Sequence, residues 1–265
     1  MSVPSNLYQA FDLSFGALAK HKPLCITVVG SGGKTTTIEH LARTWACGGN
    51  SVLVATTTKM AHPSYHSYPF DRFYIVDNPD FDQGPEPLSN SVVLYGTDLP
   101  QSKKIGKVDD MKLKNVASRF DYVLIEGDGC RNRPLAYHGM HEPVIPPWTD
   151  AVIAVMGLQA LGKRLDKQIL YNYDMYIKDY RDDHQMVSCA LYHTLMHAPQ
   201  GVLKHTESFI RVLFLNQSDT TDDLQVNAMR ELVVQNGGLE SCPVFCGSWF
   251  TQRLDWYDVP CHTHT

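Results

Sequence analysis

The sequence of 265 residues is 43% hydrophobic, enough for one sizeable core, and its formal net charge of -5 argues against a general binder of nucleic acid or of an anionic membrane. No apolar stretch approaches the roughly 18 residues of a membrane span, and the N-terminus has no basic segment followed by an apolar run. The seven cysteines are scattered without a framework spacing, so we expect reduced thiols in a cytoplasmic protein. From the charge and the lack of an apolar span, we expect the protein to bind neither nucleic acid nor membrane.

The first part of the chain predicts a strand, a loop, a helix and a second strand. Residues 24–29 form a short run of apolar and β-branched side chains that stops at glycines, as a buried strand does. Residues 35–46 carry apolar side chains at helical spacing, and two glycines follow them. Residues 51–56 are the next strand. A strand–helix–strand unit of this kind predicts that its two strands are parallel.

The rest of the chain alternates between short apolar strands and helical patterns. The remaining predicted elements are, in chain order, strands at 73–76 and 92–94, a turn-rich hairpin at 101–110, a helix capped by Asp109 and running to about 118, strands at 122–125 and 151–156, a helical pattern at 166–198 that breaks near 181–183, a strand at 212–215, a helix at 223–235 and a strand at 244–245. Strands separated by helices predict a three-layer α/β sandwich, with a mainly parallel sheet and helices on both faces. No linker divides the chain, so we expect one domain over 1–265, with 166–205 as a helical appendage within it.

A glycine-rich loop lies where the first predicted strand meets the first helix. Its residues are Gly30, Ser31, Gly32, Gly33, Lys34, Thr35 and Thr36. Backbone N–H groups in such a loop, together with the helix N-terminus, hold the phosphates of a nucleoside triphosphate. Lys34 would neutralise the β- and γ-phosphates, and the Thr35 hydroxyl would bind Mg²⁺. The long motif needs glycine where this chain has Val28, so the sequence predicts a short P-loop in a P-loop NTPase fold; the alternative is a glycine turn with an incidental lysine.

Two carboxylates follow the predicted strand at 122–125. In open parallel sheets, ligands sit at the carboxyl ends of the strands, where Glu126 and Asp128 would hold Mg²⁺ or orient an attacking water. The two side chains share a face if the strand continues. We predict catalytic roles for Lys34, Glu126 and Asp128, with Thr35 and either Asp128 or Glu126 as metal ligands. The alternative is a surface turn with solvated acids.

A late strand at 212–215 leads into a candidate for reading the base. Asn216 and Asp219 form an Asn-x-x-Asp element close to the one with which many GTP-binding proteins read guanine. A carboxylate there accepts two hydrogen bonds that adenine cannot offer, so a mismatch is rejected strongly. Gln217 stands where that element has lysine, which removes a stacking contact over the base. An Asx-turn is the alternative.

Four further residues lie close to the predicted phosphate site. Thr57 follows the second strand, where its hydroxyl would join the Mg²⁺ shell, and Lys59 would reach the γ-phosphate; a plain β-branched strand end is the alternative. Arg131 and Arg133 follow the acidic strand end, where they would contact phosphate or an anionic substrate. Surface arginines paired with nearby acids are an equally good interpretation of that pair.

The remaining candidates are weaker. His141 and Lys163 would lie at an acceptor site, with His141 and the neighbouring Glu142 as an acid/base pair, although a surface loop is favoured over that pair. Cys130 is either a reactive thiol or a small buried cysteine, and the second interpretation is favoured. A loosely spaced set for zinc consists of Cys242, Cys246 and the terminal residues 261–264.

Taken in order along the chain, these motifs resemble the YqeC family. The residues that carry the resemblance are 29–36, 52–59, 123–129, Arg131, 133–135, 141–146, Gly157-Leu158, 161–163 and 215–219. They cover roughly 24–220. Cys130 departs from the small residue, such as Ala, that the family usually has there. The short glycine loop is also similar to that of the Mur ligases, but the later motifs are not.

The resemblance implies a P-loop fold and a role as an accessory protein of a selenium-dependent molybdenum hydroxylase. Together with the residues, it predicts Mg²⁺-dependent binding and hydrolysis of GTP or ATP, with GTP slightly favoured, in maturation of a selenium- or molybdenum-dependent hydroxylase or its cofactor. One alternative is a ligase or kinase that activates a small-molecule acceptor. Another is a nucleotide-gated binding module without meaningful turnover.

Overall fold

The computed structural model describes residues 4–15, 18, 20–77, 83–181, 186–235, 239 and 242–258. Six α-helices and thirteen strands lie within these residues. The helices are α1 (Leu7–Phe15), α2 (Lys34–Cys47), α3 (Asp110–Ala117), α4 (Tyr173–Tyr180), α5 (Cys189–His197) and α6 (Asp223–Gln235). The strands are β1 (Leu24–Gly30), β2 (Ser51–Thr56), β3 (Lys59–Ala61), β4 (Arg72–Val76), β5 (Ser91–Leu99), β6 (Lys104–Gly106), β7 (Tyr122–Glu126), β8 (Leu135–Ala136), β9 (Ala151–Gly157), β10 (Leu170–Tyr171), β11 (Ile210–Asn216), β12 (Val244–Ser248) and β13 (Arg253–Asp258).

The main sheet is mostly parallel, as the alternation of strands and helices predicted. Its order is β13-β12-β11-β9-β1-β7-β2-β5-β6-β3, and β4 pairs with β5. Antiparallel pairs occur near both edges, where β13 joins β12 and β6 joins β5 and β3. Strands β1 and β2 are parallel as predicted, but they are not neighbours, because β7 lies between them and pairs with both. The strand that ends in Glu126 therefore lies next to the strand that enters the glycine loop.

Helices cover both faces of the sheet, which confirms the three-layer α/β arrangement. Helices α1 and α2 pack on one face through residues such as Phe11 and Ile38. Helices α5 and α6 pack on the other face, and α3 covers the part of that face over β2, β5 and β7. All seven residues of β1 and of β9 are buried. A continuous apolar run is what a parallel strand needs when both of its faces are covered.

The segment predicted as helical at 166–198 begins differently from the prediction. Asp166 accepts backbone hydrogen bonds from Gln168 and Ile169, which forms a turn, and β10 then pairs in parallel with β8. Helices α4 and α5 follow, and part of the predicted break, 182–183, lies outside the described residues. Buried side chains of both helices join the core cluster under β9 and β11. The assignment of 166–205 as an appendage of a single domain stays a prediction.

Local signals explain which elements could be predicted. The carboxylate of Asp109 accepts hydrogen bonds from the backbone of Met111 and Lys112, so the predicted cap of α3 is confirmed. In place of the hairpin expected at 101–110, the structure has a hairpin of β5 and β6. Strand β5 is longer than predicted, and β6 folds back and pairs with it in antiparallel. Helix α1 and strand β13 were missed. Both owe their place to long-range packing, α1 on Trp249 and β13 along β12.

Candidate functional site

The glycine loop crosses the carboxyl ends of β1, β9 and β11 and leads directly into α2. Gly33 has a φ of 126°, which residues with a Cβ rarely adopt, and a Cβ there would overlap the side-chain amide of Asn216. A Cβ at Gly32 would overlap the backbone of Gly157. The loop is therefore packed tightly against the ends of β9 and β11, and glycine is required at both positions.

Five successive backbone N–H groups at the end of the glycine loop and the start of α2 have no acceptor within the described part of the chain. Among the described residues, the N–H groups of Gly32, Gly33, Lys34, Thr35 and Thr36 donate no hydrogen bond to the protein. No side chain caps the helix, because the N-cap position is Gly33. Buried or half-buried N–H groups normally find partners, and free ones at a helix N-terminus attract anions. The loop thus offers an anion site that the protein itself does not fill.

Lys34 lies at the inner wall of this site in a buried ion pair. Its Nζ is 2.8 Å from Oδ1 of Asp128 and donates to the carbonyl oxygen of Gly30 at 2.7 Å. Burial lowers the pKa of Lys34, but Asp128, Cys130 and Glu126 together outweigh burial and raise that pKa above its usual value. Burial likewise opposes ionisation of Asp128, yet Lys34 and His138 together lower the pKa of this carboxyl to about 2. Lys34 is therefore fixed as a cation.

Asp128 also contacts His138, which was not among the predicted site residues. His138 is completely buried, and its Nε2 lies 2.7 Å from Oδ2 of Asp128 while its Nδ1 lies 2.8 Å from the carbonyl oxygen of Gly201. Both partners only accept hydrogen bonds, so the ring lies between two acceptors. The same Oδ2 accepts the N–H of Gly30 at 2.6 Å. Asp128 consequently contacts Lys34, the glycine loop and His138 at the same time.

Glu126 faces the opening of the site. Strand β7 ends at this residue, so the condition under which Glu126 and Asp128 would share a face is not met. Oε2 of Glu126 accepts a hydrogen bond from the Thr35 hydroxyl at 2.8 Å. Burial raises the pKa of Glu126 above its usual value, against the opposing effects of Lys34 and Thr35. A buried carboxylate beside a hydroxyl is a pair of oxygen ligands suited to a hard cation.

These groups surround one cleft of about 500 Å³. It is lined by every residue from Ser31 to Thr36 and by Lys59, Lys104, Glu126, Arg131 and Arg133. Asp128 does not line it. His66, Tyr68, Gln159 and Gln217, which also line the cleft, were not singled out as site residues. They come from three separate segments that only the fold brings together. The size suits a small-molecule ligand.

Like Asp128, the predicted site residues Thr57, His141 and Lys163 do not line this cleft. The Thr57 hydroxyl donates to the carbonyl oxygen of Val144 at 2.8 Å, and Thr57 lines a neighbouring cavity instead. His141 and Lys163 are exposed and line neither this cleft nor the neighbouring cavity. Glu142, the expected partner of His141, accepts hydrogen bonds from the backbone of Gly139 and from the Tyr171 hydroxyl.

The Asn-x-x-Asp element lies behind the loop. Nδ2 of Asn216 donates to the carbonyl oxygen of Gly32 at 3.0 Å, and the amide is nearly fully buried. Asp219 is exposed on a 3-10 turn and does not line the cleft. Gln217 between them does line it. Asn216 thus fixes the loop to β11, and contact between Asp219 and a base stays a prediction.

The cysteine candidates give little sign of chemistry. Cys130 is buried, donates to the carbonyl oxygen of Gly30, and has its pKa raised by burial, as a structural thiol does. Cys242 and Cys246 are buried, and 261–264 lie outside the described residues. Among the described residues, no group of three or more His, Cys, Asp or Glu side chains is arranged to hold a metal.

The fold and site define an α/β protein in which a glycine loop and an acidic strand end share one cleft. The family described as YqeC protein matches residues 26–174, and a relative from Escherichia coli (strain K12), named uncharacterized protein YqeC, is 30% identical over 207 residues. That match covers 75% of this chain and 78% of the relative. The chain belongs to the YqeC family, as its motifs indicated. No solved structure was found to match it. In the described part of the chain, no helix is long and apolar enough to cross a bilayer.

Proposed function

We propose that the cleft binds a nucleoside triphosphate with Mg²⁺ and hydrolyses it. The observation that carries the proposal is the run of free N–H groups from Gly32 to Thr36 beside the Lys34 ammonium. A triphosphate supplies acceptor oxygens for all of them, and the positive end of α2 adds to the attraction. Fixed donors aimed at the β- and γ-phosphates stabilise the charge that develops on them during transfer.

The contacts favour Glu126 over Asp128 as the metal ligand. Both oxygens of Asp128 are occupied by Lys34, Gly30 and His138, whereas Glu126 lines the cleft and meets the Thr35 hydroxyl. Mg²⁺ bound there would neutralise charge on the β- and γ-phosphates. We assign Asp128 instead to positioning Lys34. The Thr57 hydroxyl is engaged with a backbone carbonyl, so we leave it out of the metal shell.

Two finer proposals follow from the sequence. GTP is slightly favoured over ATP if Asp219 turns toward the base, in which case Asp219→Asn weakens GTP binding and improves XTP binding. A parent protein that prefers ATP would refute that proposal. We also propose, on the strength of the family resemblance, that the activity serves maturation of a selenium- or molybdenum-dependent hydroxylase or its cofactor, so turnover should respond to that partner.

A binding screen tests the proposal. Equilibrium affinities of ATP, GTP and their non-hydrolysable analogues are measured with and without Mg²⁺. The parent should bind at least one triphosphate, and Mg²⁺ should tighten it. Thr35→Val keeps the shape of the side chain but removes the hydroxyl, so it should lose the Mg²⁺ effect. Thr44→Val, farther along α2, is the matched control. Absence of triphosphate binding, or a Mg²⁺ effect that survives in Thr35→Val, would contradict the proposal.

A further inference from the structure

A second cavity of about 490 Å³ opens beside the phosphate cleft. It lies between β3, the β5–β6 hairpin and the segment after β7, and four cationic side chains line it: Lys59, Lys104, Lys107 and Arg131. We call it the cationic cavity. The acid among its lining residues is Glu142, and that carboxylate already accepts hydrogen bonds from Gly139 and Tyr171.

The lysines of the cationic cavity have no counter-charge among the residues that the structure describes. In the described part of the chain, no carboxylate lies within 4.0 Å of the ammonium groups of Lys59, Lys104 or Lys107. The guanidinium of Arg131 lies 6.0 Å from the ring centroid of Tyr171. This cluster is positively charged, whereas the whole chain has a formal net charge of -5. Its mutual repulsion would be relieved by an anion in the cavity.

The cationic cavity is continuous with the phosphate cleft. Lys59, Lys104, Gly129 and Arg131 line both. Gly129 lines both spaces, and a Cβ placed there would have no atom within 4 Å, so there is open space beside this residue. A ligand in one can therefore reach the triphosphate in the other.

We propose that the cationic cavity binds a small organic anion with at least two negative charges, next to the triphosphate. The four cations come from three segments of the chain, so they can contact negative charges at several points of one molecule. Leu99 offers an apolar contact to the carbon skeleton of that molecule. The volume suits a small molecule rather than a polymer. This inference rests on the proposed function, because it names the class of the second substrate or effector at that site.

Calorimetry with defined anions tests the proposal. Succinate, fructose 1,6-bisphosphate and uncharged fructose are titrated into the full chain without nucleotide, and again with Mg²⁺ and a saturating non-hydrolysable triphosphate. At least one dianion should bind in both arms, and fructose should not bind. Lys104→Ala/Lys107→Ala should weaken the dianion by roughly tenfold or more. Lys20→Ala/Lys114→Ala removes the same charge from exposed sites outside the cavity and should bind as the parent does.

The outcomes separate this inference from the proposed function. Failure of both dianions to bind, equal binding by the Lys104/Lys107 double variant, or displacement of the dianion by the triphosphate analogue would overturn the cationic cavity as a site. Dianion binding that depends on the two lysines, without any triphosphate binding, would instead refute the proposed function alone. Circular dichroism of each variant confirms that a lost signal is not lost folding.

Discussion

Replacement of Asp128 by Asn tests the buried ion pair beneath the glycine loop. The pKa of this carboxyl falls from 3.8 to about 2, which corresponds to roughly 2 kcal/mol in favour of its ionised form. That value is net of the cost of burying the carboxylate. The substitution also leaves Lys34 buried without its counter-charge 2.8 Å away, a change that costs about 3–5 kcal/mol in other buried pairs. We expect Asp128→Asn to lower the free energy of unfolding by about 3–5 kcal/mol.

Urea unfolding at neutral pH measures the effect, and a double-mutant cycle assigns it. Lys34→Met removes the charge but keeps an apolar chain in place. If the pair is coupled as its geometry indicates, Asp128→Asn should cost much less in the Lys34→Met background than in the parent. A loss below about 1 kcal/mol in the parent, or additive effects in the cycle, would refute the account of Asp128 as the group that holds Lys34.

The same pair sets a pH dependence. The pKa of Asp128 is lower in the folded state than in the unfolded chain, so its stabilisation is present above 3.8 and is lost as the pH falls toward about 2. The stability difference between the parent and Asp128→Asn should therefore be constant near neutral pH and shrink in acid.

Three further predictions concern the loop, the metal and a thiol. Gly33→Ala should abolish triphosphate binding through steric overlap, whereas Gly49→Ala, at a φ of 94° with no neighbour within 4 Å, should cost only about 1 kcal/mol of stability and leave binding intact. Mg²⁺-dependent affinity should rise as the pH is raised above 4.5, because burial raises the pKa of Glu126 and its protonated form cannot bind the metal; Glu126→Gln should abolish this rise. Iodoacetamide followed by mass spectrometry should label exposed Cys47 much faster than buried Cys130 in the folded protein, and equal rates would contradict the structural role of Cys130.

Much of the fold could be predicted because its signals are local. Buried parallel strands read as continuous apolar runs, and the bounds of β2 and α6 match the predicted ranges. The insertion of β7 between β1 and β2 could not be predicted, because strand order depends on contacts between residues about 70 to 100 positions apart. The turn and short strand at 166–171 replaced a helix for the same reason, since β10 exists only by pairing with β8.

The site divides in the same way. The spacing of residues along the sequence was enough to predict the glycine loop, Lys34 and Glu126 as site residues. The fold brings them to one cleft. The different orientation of Asp128 depends on where β7 stops, which alternation along the sequence does not define. His138 carries no motif, and its contact with Asp128 is visible only once the loop at 129–138 has folded back.

Triphosphate binding by the Lys34→Ala variant tests the central claim most directly. Fluorescent GTP and ATP analogues are titrated with Mg²⁺ into the parent, into Lys34→Ala and into Lys114→Ala, which removes an exposed lysine of α3 outside the cleft. Phosphate release is followed in parallel, and circular dichroism confirms folding. The account predicts binding and turnover in the parent and in Lys114→Ala, and loss of both in Lys34→Ala. Folded Lys34→Ala protein that binds and turns over triphosphate like the parent would contradict it.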